Sequence, residues 1–432
     1  MILFYMKHTN NVLIPRIYLL PYILVTICFP FWGFGENVTN PLVHAFPRIL
    51  NLSHFEGSLI QFAFYGGYFA MALPAALFIK RYSYKSGILM GLFLYAVGAL
   101  LFIPASMTLM FWPFLVAYFV LTCGLSFLET SANPYVLSLG PEETATRRLN
   151  LSQSFGPMGS LIGMFTAQQV ILKNLSKATA EERMQMTPDM YKALTMQDFS
   201  YIKLPYVTIA GIIVILFIII AVTHLPNHRD RDKELDFVPT VKRLFQKNRY
   251  YEGIIAQFFY VGAQIMVWTF IIHYAVSELG FTEAEAQGYN ILAMVIFVSS
   301  RFICTFFLKY ISPSRLLLYL AIGATILTMG TVFLTGLPGL YALIGISACM
   351  SLMFPTIYGI ALKGIGEDAK IGAAGLIMAI LGGSMMPPIM GAIIDLKTVF
   401  SFSAVRFAFF IPFICFVVVA IYGYRAYKIY ND

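Results

Sequence analysis

Stretches of about 20 apolar residues, the helix length that crosses a bilayer, recur from one end of this chain to the other. They fall at roughly 17–43, 57–79, 87–104, 109–139, 149–172, 204–225, 251–277, 287–308, 315–336, 338–362, 371–394 and 402–424. Lipid offers a backbone no hydrogen-bond partner, so each run must close its own bonds as a helix or join a closed barrel. The alternating strands of about ten residues that mark a barrel are absent. Only 12% of the residues are charged, against about 25% in a soluble domain, which leaves too little polar surface to face water. The expectation is an all-α polytopic membrane protein with 12 transmembrane helices. The first run follows Arg16 and is long enough to remain as a helix, with no cleavable signal pattern before it.

The net charge of +8 would suit nucleic acid, but its distribution points to a membrane instead. With both termini cytoplasmic, the inner loops and termini hold 20 Lys and Arg, the outer loops seven, and Arg301 and Arg406 lie within spans. That bias is the positive-inside rule at work, and it predicts a multi-pass protein of the cell membrane with no nucleic-acid partner. The chain also looks doubled. Six spans occupy 1–226, a charged linker covers 227–249, and six more spans fill 250–432. The second inner loop of each half opens alike, Lys80-Arg81-Tyr82-Ser83 and Lys309-Tyr310-Ile311-Ser312. Two six-helix bundles related by a parallel repeat place a solute site near the bilayer midplane. Within the linker, 237–245 has the pattern of a surface helix.

Acids inside a membrane are expensive, about 2.5–3.5 kcal/mol each even on lenient insertion scales. Of 21 acidic residues only Glu36 and Glu129 lie well inside spans. Thr122, Ser126, Glu129 and Asn133 fall on one helical face, a stripe suited to lining a wet cavity, and Pro134 interrupts the hydrogen-bond ladder just beyond it. For Ser126 alone, polar glue between helices is the better reading; for Glu129, function is. In the first span Trp32, Glu36 and Asn40 share a face, with Asn37 beside them. The seventh offers Gln257, Tyr260, Gln264 and Trp268. Amides that donate and accept, next to an aromatic platform, suit a sugar. Gln61, Tyr65 and Gln153 extend the set. Gly156, Gly159 and Gly163 suit close helix packing. His273 reads as structural or solvated, and Arg301 demands a carboxylate or carbonyl partner, as a gating or packing link. The five cysteines all sit in apolar segments without a C-x-x-C pair, so no metal site or disulfide framework is indicated. Enzyme signatures such as H-E-x-x-H, G-x-x-x-x-G-K-[ST] and G-x-S-x-G are missing, so the chain reads as a carrier with no cofactor rather than an enzyme.

Several strings make the chain resemble the fucose–proton symporter family of the major facilitator superfamily. They are Leu59-Ile60-Gln61 with Ala63-Phe64-Tyr65, Leu128-Glu129-Thr130-Ser131-Ala132-Asn133-Pro134, Arg148-Leu149-Asn150-Leu151-Ser152-Gln153, Ala256-Gln257-Phe258-Phe259-Tyr260-Val261-Gly262-Ala263-Gln264 and Phe354-Pro355-Thr356-Ile357. The resemblance implies the major facilitator fold and uptake of L-fucose or a related hexose with a proton, by alternating access. It makes Glu129 the fourth-helix carboxylate that binds the coupling proton or the sugar, and Asn37 and Gln153 sugar contacts. Two positions depart from the pattern the resemblance implies: the first-helix Asp of some family members falls at Asn40, with others placing that acid nearer Asn37, and the family's Asn three residues after the fifth-helix glutamine is Gly156 here. Glu36 lies one turn before Asn40, about 6 Å away at the helical rise, so its carboxyl is expected to take the missing acid's part. The alternatives are a glucose or galactose carrier, sodium-coupled or uncoupled, and a non-transporting sugar sensor. The short tail after the last span disfavours the sensor. The protein is expected to work as a monomer in the bilayer.

Overall fold

The computed structural model of the 432-residue chain describes residues 13–39, 42–52, 54–226, 237–281, 283–394, 396, 398–399 and 402–429. Among these, eleven helices are long and apolar enough to cross a bilayer. In chain order they are α1 (Arg16–Thr39), α2 (His54–Arg81), α3 (Tyr84–Ala105), α4 (Trp112–Ser138), α6 (Pro188–Val222), α7 (Asn248–Leu279), α8 (Glu283–Phe307), α9 (Pro313–Phe333), α10 (Leu337–Leu362), α11 (Ala369–Ile394) and α12 (Ala404–Lys428). The fifth expected span, here α5, is present in pieces: Ala145–Gln153, then Gly156–Thr166, then a π turn over Ala167–Leu172. Its break has two local causes. The Ser154 hydroxyl bonds back to the Asn150 carbonyl at 2.7 Å, and Pro157 disfavours helical backbone at Gly156 and donates no N–H. Pro134, by contrast, sits inside α4 without ending it.

Local signals set most of the ends. Ser83 caps α3 by accepting from the Ser86 N–H, and Gly280 closes α7 in the left-handed conformation at φ 69°. Helix α6 starts 16 residues before its apolar run, because Thr187 caps it and Pro188 occupies its first turn. That extension is pinned by tertiary contacts. Phe199 packs on Phe114 at 4.9 Å between ring centres, and buried Asp198 pairs with buried Arg183. The expected linker helix is found at Phe237–Gln246, with Arg243 held by Asp368 at 2.9 Å; the first part of the linker lies outside the described residues. A two-residue antiparallel pairing of β1 (Thr398–Val399) with β2 (Phe402–Ser403) precedes α12.

The chain forms two compact units. One contains 20–135 and 158–235; the other contains 1–19, 136–157 and 236–432. In this division the end of α4 and the first piece of α5 fall with the helices of the C-terminal part of the chain. In the first unit, Gly98 lets α3 lie against the α4 backbone, where a Cβ would overlap Leu121. Gly163 does the same for α5 against α1, where a Cβ would stand 2.8 Å from the Phe34 carbonyl. In the second unit, α7 packs against α8, α10, α11 and α12, and α9 against α10 and α12. Large apolar side chains such as Phe62, Ile215, Val222, Ile326 and Ile414 stand exposed, which suits lipid and would be a liability in water.

Candidate functional site

Helix α4 runs through the interior of its unit, with Leu121, Leu125 and Leu128 wholly buried. Its polar stripe divides into two kinds of residue. Thr122 bonds back to the Tyr118 carbonyl at 2.8 Å, and Ser126 donates to the Tyr68 carbonyl of α2 at 3.1 Å. Both are accounted for as helix–helix or intrahelical contacts. Glu129 is different. Its Oε2 is buried and has no hydrogen-bond partner, and no cation among the described residues pairs with it.

Glu129 is close enough to Glu36 of α1 for the two to interact electrostatically, and Tyr65 donates a hydrogen bond to Glu36. Tyr68, which the sequence pattern did not single out, is close enough to feel both acids. It stands three residues after Tyr65, on the same face of α2, and that spacing was the available signal. Glu36, Tyr65, Tyr68 and Glu129 therefore form one cluster drawn from α1, α2 and α4.

Other α1 residues have settled partners. Trp32 donates to the Leu125 carbonyl at 3.4 Å and meets Phe29 edge-on at 4.2 Å. Asn37 donates from Nδ2 to the Gly33 carbonyl at 3.0 Å. Asn133 is wholly buried. Asn40 and the Gln61 side chain lie outside the described residues.

The second unit holds the amide and aromatic set. Gln257 of α7 is fully buried, and neither end of its amide has a partner. Tyr260, one turn on, is spoken for: its hydroxyl donates to the Met350 carbonyl at 2.9 Å, where α10 is broken. Gln264 is half-buried. Trp268 meets Phe297 edge-on at 4.9 Å, and its buried Nε1 has no partner. Ser347 of α10 is a buried hydroxyl of the same kind, and no sequence pattern marked it. Gln153 is buried at the end of the first piece of α5. His273 is exposed. Among the described residues no three of His, Cys, Asp and Glu gather as a metal site.

Polar atoms without partners are rare in folded interiors, since each costs about 1–3 kcal/mol. Here bilayer-length helices carry several: the Glu129 carboxylate oxygen on α4, the Gln257 amide and Trp268 indole on α7, and the Ser347 hydroxyl on α10. That combination defines a polytopic carrier for a small polar solute.

Comparison with known proteins agrees. The sequence pattern of the Major Facilitator Superfamily matches residues 25–387. The chain is 49% identical over 426 residues to the L-fucose-proton symporter of Haemophilus influenzae, covering 97% of this chain and 99% of that protein. It is 32% identical over 401 residues to the glucose/galactose transporter of Brucella abortus, covering 92% of each. A crystal structure of the E. coli fucose:proton symporter FucP superposes with a TM-score of 0.86 at 35% identity, over 95% of this chain and 99% of that one. The chain belongs to the major facilitator superfamily and, within it, to the fucose–proton symporter family.

Proposed function

We propose that this protein carries L-fucose or a closely similar hexose into the cell together with a proton, by alternating access of the halves 1–226 and 250–432 about the linker 227–249. The observation that carries the reading is Glu129, a buried carboxylate oxygen in α4 with no hydrogen-bond partner and no paired cation among the described residues. The 49% identity to a protein named as an L-fucose-proton symporter supports the choice of cargo and ion.

An acid so placed crosses the dry step of a transport cycle most easily with a proton on it. Protonation from outside neutralises Glu129, the sugar binds, and release of the proton inside resets the carrier. Glu36, held by Tyr65 and interacting with Glu129, shares that proton. In this reading Gln257, Gln264, Trp268, Gln153, Asn37 and Asn133 meet the sugar, and Tyr260 braces the helix beside it. The excess of inner-loop Lys and Arg puts both termini on the cytoplasmic side of the cell membrane, and one chain suffices for the cycle.

A glucose or galactose carrier is the second reading, favoured by the relatedness to a protein named for those sugars. Purified protein in liposomes decides between them. Labelled L-fucose should accumulate under an inward pH gradient and not without one, and unlabelled L-fucose should compete better than glucose or galactose. Uptake driven by sodium alone, or blocked best by glucose, would refute the assignment. Glu36→Gln should impair accumulation; intact accumulation in that variant would remove Glu36 from the proton path.

A further inference from the structure

Arg301 carries a full charge within α8 and is 5% exposed, yet no carboxylate among the described residues pairs with it. A guanidinium keeps its charge and has five N–H donors to satisfy. Here its partners are main-chain carbonyls: Nε donates to Ser351, and Nη1 donates to Gln153 at 2.9 Å. The face of Phe297 lies 4.7 Å from the guanidinium carbon and adds a cation–π contact.

The identity of these two carbonyls has a chemical cause. In a helix the carbonyl of residue i is met by the N–H of residue i+4. Four residues after Gln153 comes Pro157, and four after Ser351 comes Pro355, and neither proline has an N–H to give. Two prolines on two helices thus each orphan one carbonyl, and one side chain from a third helix serves both. The helices are interrupted at the same places, α5 between Gln153 and Gly156 and α10 between Met350 and Met353. Two further bonds flank the guanidinium. The hydroxyls of Ser154 and Thr305 lie 3.5 Å apart, and Asn150 donates to Thr356 at 3.3 Å.

We propose that Arg301 is a positioning residue of the transport cycle: it pins the break of α5, and Gln153 with it, to the break of α10, and it lets go of one carbonyl whenever α5 moves against α10. Carbonyl dipoles suit a bond that must break repeatedly, because water can replace either of them. A carboxylate in the same dry place would hold the cation too firmly to release. The sugar side of this inference rests on the reading of Gln153 as a sugar contact; the tie itself does not.

The test uses the full-length protein with its five native cysteines replaced by alanine and the pair Ser154→Cys, Thr305→Cys added. The two sulfurs would then stand where hydroxyls lie 3.5 Å apart, within a small shift of the roughly 2 Å disulfide length. Oxidation should form the cross-link and lower proton-driven L-fucose uptake at least about tenfold, with dithiothreitol restoring it. Cross-linked protein that carries sugar at its reduced rate, or thiols that fail to join, would overturn the tie. Arg301→Met should lower the cross-link yield severalfold and raise KM for the sugar more than it lowers kcat, with Arg301→Lys falling between. Unchanged yield and KM would overturn the positioning role. Wild-type protein that neither binds nor carries a hexose would refute the function proposed above, whereas the tie would still stand or fall by the cross-link yield.

Discussion

Replacing Glu129 by Gln keeps the shape of the side chain and removes only its ability to gain and lose a proton. The expected loss can be worked out from its surroundings. Leu128 and Thr130 on either side are wholly buried, and Oε2 has no hydrogen-bond partner, so half of the anion's charge has no hydrogen bond to offset its burial during a dehydrated step. Carrying a carboxylate through that step costs about 2.5–3.5 kcal/mol, roughly two orders of magnitude in rate or population. The cycle therefore turns over with the proton aboard. In a one-to-one symporter each pH unit supplies about 1.4 kcal/mol, so a gradient of about two units should concentrate sugar roughly a hundredfold at zero potential. Glu129→Gln is permanently in the neutral form. It should still exchange labelled for unlabelled sugar across the membrane within about threefold of the wild-type rate, because neutral occlusion needs no titration. Its concentration ratio should fall to about one, and its uptake should no longer rise as the outside is acidified. The assay is counterflow and pH-driven accumulation in the same batch of proteoliposomes. Normal accumulation by Glu129→Gln would refute the reasoning, and so would loss of exchange and accumulation together in a variant that still binds sugar.

Three further outcomes follow from the geometry. Gln257→Leu removes two buried polar atoms that have no partner, so thermal stability should hold or rise while sugar affinity falls about tenfold or more; a drop in melting temperature with affinity unchanged would make Gln257 structural. Asp198→Asn leaves Arg183 buried without its counter-ion, a loss of about 3–5 kcal/mol, read as a lower unfolding midpoint in detergent; an unchanged midpoint would refute this account of the N-terminal extension of α6. Gly163→Leu puts a side chain where a Cβ already stands 2.8 Å from the Phe34 carbonyl, which displaces α1 and Glu36 with it; folded protein with full uptake would contradict the close packing of α1 on α5.

The membrane-spanning nature of the chain, the number of its spans and the abnormality of Glu36 and Glu129 were all present in the sequence, because lipid imposes one simple rule on every residue it touches. The cut of α5 into pieces and the early start of α6 were not evident. The first depends on a hydroxyl bonding back to its own helix beside Pro157, and the second on a cap and a buried ion pair whose partners, Arg183 and Asp198, are brought together only by folding. The polar stripes were legible as stripes but not as roles. Periodicity put Thr122, Ser126 and Glu129 on one face, whereas only the folded structure revealed that two of them are bonded to carbonyls and that the third has a buried oxygen without a hydrogen-bond partner. The same holds for Gln257 and Tyr260, which share a face yet differ in whether a broken helix offers them a partner. Sequence alone determined that Arg301 had to find an acceptor; the structure showed that Pro157 and Pro355 each leave a carbonyl unmet. Tertiary structure decided that these needs answer one another, because a hydrogen bond requires atoms within about 3 Å, and residues 148 positions apart reach that distance only through the fold.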